Sequence, residues 1–137
     1  MKLKDLVTPE YVAIEAAASG ERALAVSKLH WWQGTQLTKA QLLEAYSVGL
    51  FSIQPGFCGI CDRHYSLRVT SGLFGAHCHL CPLGTGKERC GHYTSTYQKA
   101  YSSLGDFIDD PTTVNFRAWR VAARAMYKVL NHLYPGE

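Results

Sequence analysis

The sequence predicts a small α+β, mostly α domain, with helices packed around a glycine-rich knuckle that carries one short β-hairpin. Three observations lead there. Apolar residues recur at helical spacing on both sides of a middle stretch, and helix-start chemistry stands at the head of each run. The middle stretch alternates briefly and is then broken by glycines at 72, 75, 84, 86 and 91. All five cysteines fall inside it, as Cys58, Cys61, Cys78, Cys81 and Cys90. With 137 residues, 47% of them hydrophobic and 18% charged, the chain fits one folded domain able to bury a core. It divides into N-terminal helices over 1–50, a cysteine-bearing segment over 51–93 and C-terminal helices over 94–137.

Thr8-Pro9-Glu10 is a helix start: a hydroxyl cap, proline at the first helical position, and an acid near the positive end of the dipole. This first helix is expected to reach about Ala18, where Ser19-Gly20 interrupts it. A second begins from Ser19 with Leu24, Ala25, Leu29 and Trp32 on one face, and Gly34 is expected to end it. Thr38 and Gln41 form a capping box for a third helix, whose Leu42, Leu43, Tyr46 and Leu50 share an arc, with Gly49 as the expected terminator. Two short helices about a glycine turn have the outline of a helix-turn-helix. Nothing polar is arranged for a groove, however, so a packing hairpin is the better reading.

Phe51-Ser52-Ile53 alternates and Pro55-Gly56 turns. Tyr65 to Thr70 alternates apolar with polar and reads as a strand, closed by Ser71-Gly72, which gives the expected hairpin. After Thr94 the chain becomes helical through Tyr97, Ala100, Tyr101 and Leu104, with Gly105 as the expected stop. Asp109-Asp110-Pro111 then precedes the longest helix, from about Thr112 to Leu133. Trp119, Ala122, Ala123, Met126, Val129, Leu130 and Leu133 occupy one face of it, and Arg117, Arg120, Arg124 and Lys128 the other.

The cysteines carry the chemistry. Cys58/Cys61 and Cys78/Cys81 are C-x-x-C turns separated by residues 62–77. Each turn offers two sulfurs on one side of a tight bend, and two bends supply four thiolates for a tetrahedral ion. Zinc (Zn2+) suits such a set because it is closed-shell, borderline-soft and content with four ligands. Cys58, Cys61, Cys78 and Cys81 are the simplest ligand set. Cys90 is an alternative ligand in place of Cys78, and His77, His79 and His92 flank the set. Unrelated buried thiols would be the competing explanation, and two pairs at this spacing argue against it. An odd number of cysteines in a chain without an export signal also favours reduced, metal-holding thiols over a disulfide scaffold.

Catalysis is the lesser reading. A catalytic zinc keeps a ligand position open and an acid or base nearby, whereas thiols are here in excess and only Asp62 and Glu88 are close in sequence. His-x-Glu ahead of the cysteine pair and H-E-x-x-H are both absent. For nucleic acid, Arg63, Arg68, Lys87 and Arg89 lie among aromatic residues in the cysteine segment, and Arg117, Arg120, Arg124 and Lys128 add a stripe. Solvated helix and loop faces account for the same charges, and the net charge of +3 is mild. Trp31 and Trp32, being adjacent, cannot both point inward, so one is a candidate surface anchor. No window has the apolar length of a membrane span, and the N-terminus MKLKDLVTPEY has no signal-peptide pattern, so the expected location is cytoplasmic with no membrane partner.

The run Cys58-x-x-Cys61, Cys78-x-x-Cys81-Pro82-Leu83, Thr85-Gly86, Cys90 and Tyr97 resembles a group of small five-cysteine proteins met mainly in tailed-phage and prophage genomes. In that pattern a Trp-containing helix often comes first, a role open to Ser27 through Trp32, and a helix follows. The likeness covers roughly residues 27–133, with its specific part at Cys58 to Tyr97. Ile60 stands where a leucine is usual, and the spacer between the pairs is longer than in many relatives. The resemblance implies a metal-binding phage accessory protein acting in the host cytoplasm, makes Cys90 part of the pattern, and implies no activity. The expected function is therefore a non-enzymatic, zinc-stabilised binding module that engages a host protein or nucleic acid. The alternatives are a nucleic-acid-binding zinc protein and a zinc-dependent enzyme acting on nucleic acid.

Overall fold

The computed structural model describes residues 1–53 and 95–132, which fold as a short 3-10 turn (Leu3–Asp5) and five helices. We label these α1 (Pro9–Ala18), α2 (Gly20–Gln36), α3 (Lys39–Ser47), α4 (Thr96–Asp109) and α5 (Thr113–Asn131). Each helix begins on the hydroxyl of a serine or threonine. Thr8, Ser19, Thr38, Ser95 and Thr112 accept the backbone N–H of Tyr11, Arg22, Gln41, Gln98 and Asn115 in turn. These bonds satisfy donors that the helix cannot satisfy for itself. At Thr38 the capping box is complete, since the Gln41 carboxamide oxygen accepts the Thr38 N–H at 3.0 Å. Ser19, in extended geometry, ends α1 and caps α2 at once, which makes a sharp corner.

The closing of α3 depends on Gly49, whose φ of +77° is the left-handed conformation that glycine adopts without penalty. Leu50 N–H then reaches back to Ala45 O at 2.8 Å and Gly49 N–H to Tyr46 O at 3.3 Å, a Schellman pair. That reversal sends Phe51 and Ile53 into the core, at 1% and 3% exposure. Helices α4 and α5 form a hairpin across Asp110–Thr112, braced by Asn115 Nδ2 donating to Asp110 O at 2.9 Å. The hairpin packs through α5 onto α2, and α2 also carries α1. Trp31, Trp119, Phe51, Phe107, Leu37, Leu42, Met126 and Leu130 form a core drawn from both sides of the cysteine-bearing segment.

The α+β expectation is corrected to an all-helical architecture, because there is no strand among the described residues. The expected hairpin at Tyr65–Thr70 lies outside them. The alternating Phe51–Ile53 segment shows the physical reason. It joins no ladder, and its Ser52 and Ile53 carbonyls are received by side chains of α2 and α4, where a neighbouring strand would otherwise receive them. The described helices pack on each other through an aromatic core of their own, and the expected knuckle lies outside the described residues.

Two boundary expectations and two helix faces change as well. Helix α2 passes through Gly34 because that glycine lets two rings approach: a Cβ there would lie 2.9 Å from Phe51 Cζ and 3.4 Å from Trp119 Cζ2. Helix α4 passes through Gly105 and gains the full burial of Phe107 two residues later. That burial outweighs the roughly 1 kcal/mol cost of a mid-helix glycine. The buried face of α2 is also rotated from the expected one, running through Leu24, Ser27, Trp31 and Gly34 while Leu29 and Trp32 face solvent. Along α3, Ala45 is buried, while Tyr46, in the helix, and Leu50, beyond it, are exposed.

Candidate functional site

The sequence places the chemistry between Ile53 and Ser95, and the structure describes both of those ends. Ile53 is held at its carbonyl by the Tyr97 hydroxyl, which donates to it at 2.7 Å across 44 positions of sequence. One residue earlier, the Ser52 carbonyl accepts a 2.8 Å hydrogen bond from His30 Nε2, which fixes the proton on that ring nitrogen. Ser95, the cap of α4, is fully buried. The helical core therefore clasps the chain where it leaves for the cysteines and where it comes back.

This clasp is made of packed aromatic rings. The Tyr97 ring meets Trp31 edge-on at 6.3 Å, and Trp31 lies 6.1 Å from Trp119. His30 stacks on Phe51 at 5.0 Å with a 19° interplanar angle, and Phe51 meets Trp119 edge-on at 5.9 Å. Burial pushes the His30 pKa down to about 4, with the Ser52 carbonyl opposing the shift only in part. His30 is thus a neutral donor inside the core and carries no charge toward a ligand at neutral pH. Gln33 performs a similar service nearby. Its carboxamide oxygen accepts Val7 N–H at 2.9 Å and its Nε2 donates to Asp5 O at 2.7 Å, tying the N-terminal segment to α2.

No protein-family model, curated protein or solved structure matches this chain.

The site must accordingly be argued from its own residues. Cys58, Cys61, Cys78, Cys81 and Cys90, the flanking His77, His79 and His92, and the basic residues Arg63, Arg68, Lys87 and Arg89 all lie outside the described residues. As a donor set, four thiolates in two C-x-x-C turns fit zinc, and no cluster of metal-ligating side chains occurs among the described residues to compete for it. No helix among the described residues is long and apolar enough to cross a membrane.

The α5 stripe is brought together only in part. Arg117, Arg124 and Lys128 are exposed along one edge. Arg120 departs from them: its guanidinium lies 5.0 Å above the Phe116 ring and its Nη2 donates to Leu37 O at 3.2 Å. Leu37 is the C-terminal cap of α2, so Arg120 serves the negative end of that helix and is half-buried where its three neighbours in the stripe are exposed. The tryptophan pair divides as adjacent positions on a helix require, with Trp31 at 1% exposure and Trp32 at 42%. His30, Gln33 and the Tyr97 hydroxyl are the working residues that sequence reasoning did not single out for these roles. Tyr97 and the tryptophan-bearing helix stood in the resemblance pattern, but only as positions.

Proposed function

We propose that the chain is a non-enzymatic binding module in which a zinc ion, held by Cys58, Cys61, Cys81 and either Cys78 or Cys90, shapes the segment between Ile53 and Ser95. The observation that carries this reading is the paired C-x-x-C turns set in a chain segment whose two ends are fastened to one helical core. A clasped segment loses less conformational entropy when its thiolates gather on one ion, so the core favours metal binding there. Zinc closed by four sulfurs supplies structure and no open position for water. The function then lies on the surfaces that the core and the segment present, as an accessory factor engaging a host protein or nucleic acid.

A protein partner is the better supported of the two, because the withdrawal of Arg120 shortens the basic stripe while Val114 and Val121 stay exposed along its edge. Two measurements test the proposal. Elemental analysis of protein purified without chelator should give about one zinc per chain, falling to background in Cys58→Ser/Cys81→Ser. A gel-shift series with DNA and RNA at rising salt tests the nucleic-acid version, which requires retardation at low salt that fades steeply as salt increases. Protein that carries no zinc as purified and takes up none refutes the metal half of the proposal.

A further inference from the structure

We propose that the groove between α4 and α5 is a docking site for an acidic amphipathic helix of a partner protein. The idea rests on reading the chain as a binding module but not on the metal. The groove is lined by Thr96, Lys99 and Ser103 from α4 and by Ala118, Val121 and Ala125 from α5. Small side chains on two neighbouring helices leave a channel between their ridges that larger apolar side chains of a third helix can enter. Val121 is 66% exposed, and Val114, two turns earlier on the same edge, is 73% exposed. Neither takes part in the core of this fold.

Charge identifies the occupant. Lys99 stands on the α4 wall, and Arg117, Arg124 and Lys128 run along the α5 edge at the −4, +3 and +7 positions from Val121. Helix α5 contains no carboxylate anywhere in its length, and none lines the groove among the described residues. The one ion pair among the described residues joins Arg22 to Glu15, away from this surface. The α5 bank of the channel is therefore positive along its length and Lys99 faces it from α4, whereas the α4 carboxylates Asp106 and Asp109 stand toward the Asp110–Thr112 end and do not line the groove. An amphipathic helix with apolar side chains at i, i+3, i+4 and i+7 and carboxylates on its flanks satisfies channel and banks together. A nucleic-acid backbone would meet the cations but leave Val114, Val121 and the two alanines without an apolar partner, so the protein helix is the occupant we assign.

The test uses the full chain with its metal as purified, and a random library of helix-length displayed peptides as the probe. The proposal expects enrichment of acidic amphipathic sequences whose binding weakens with salt. It expects Val121→Asp/Ala125→Glu to weaken that binding about tenfold or more, and Arg117→Ala/Arg124→Ala to weaken it by a smaller factor. All four positions are exposed, so the variants should melt like the parent, and circular dichroism checks that they do. No enrichment, or enriched peptides indifferent to the groove variants, overturns the proposal. Labelled DNA bound through the same cations in place of peptide overturns it in favour of nucleic acid. Self-association abolished by the groove variants overturns it in favour of a second copy of this chain. Zinc measured on the same preparations keeps the two readings apart: peptide binding by zinc-free Cys58→Ser/Cys81→Ser protein leaves the groove proposal standing whatever becomes of the metal.

Discussion

On our proposal, the helical core and the cysteine-bearing segment that interrupts it are specified by opposite means. The core, from residues 1–53 and 95–132, holds all three tryptophans and closes on Trp31, Trp119, Phe51 and Phe107, each at 1% exposure or less. The segment between holds every cysteine, no tryptophan, and glycines at 56, 59, 72, 75, 84, 86 and 91. The first region organises itself by removing aromatic and aliphatic surface from water, and its polar groups serve mainly as caps and clasps. The second is rich in glycine and thiols, and on our proposal a metal crosslink takes the place of burial there. The contrast explains why the core can anchor the segment at Ser52, Ile53 and Tyr97 without help from the ion.

If the core stands on burial, its largest single loss should come from Trp119. Trp119→Ala should destabilise the helices by about 3–5 kcal/mol, read as a lower midpoint in urea followed by far-ultraviolet circular dichroism. A loss under about 1 kcal/mol would show that the ring is not central to the packing. Acid should act next, through His30. The unfolded chain takes up a proton on this imidazole near its ordinary value of 6.5, whereas the folded chain does so only near about 4. Stability from neutral His30 is thus fully present above about 6.5 and declines as the pH falls toward 4. The decline amounts to about 3 kcal/mol at most. Urea titrations at both ends of that window, in chelator so that zinc release does not contribute, should show it. His30→Gln should flatten the difference, and an unchanged pH dependence in that variant would contradict this role for His30.

A smaller effect is expected at Gly34, where a side chain would press on Phe51. Gly34→Val should cost about 1–3 kcal/mol through overpacking, while an exposed control, Gly105→Ala, should be neutral or stabilising by up to about 1 kcal/mol. The gentlest change sharpens the clasp. Tyr97→Phe keeps the ring and removes the hydroxyl that donates to Ile53 O, so it should lower stability by about 1 kcal/mol and weaken zinc binding several-fold in a competition titration with a chromogenic chelator. Equal zinc affinity in parent and variant would show that the clasp does not prepare the metal site.

Much of the helical frame was legible from short-range chemistry. Thr8-Pro9, the Thr38/Gln41 box, Gly49 and the Thr112 start all act through atoms within one helical turn, and the sequence shows them directly. Gly34 and Gly105 misled because their cost is local while the gain comes from distant partners, Phe51 and Trp119 in one case and the burial of Phe107 in the other. Arg120 shares its spacing with Arg117, Arg124 and Lys128. The Phe116 ring one turn before it is a local mark that only Arg120 has, but the tertiary approach of Leu37 O, which withdraws its guanidinium, could not be read from spacing. The His30 and Tyr97 clasps were hidden for the same reason, since each joins residues far apart in sequence through a backbone carbonyl. The cysteine pattern is different in kind. A metal site is written in residue type and spacing, so the one we propose rests on the cysteine pattern and on no packing.

The most direct test of the account counts thiols. Alkylation of native protein followed by mass spectrometry should label a single cysteine, Cys78 or Cys90, and chelator treatment should open all five to the reagent while the helical circular dichroism signal persists. Five thiols equally reactive before chelation would contradict the claim that a thiolate-bound zinc ion organises this segment.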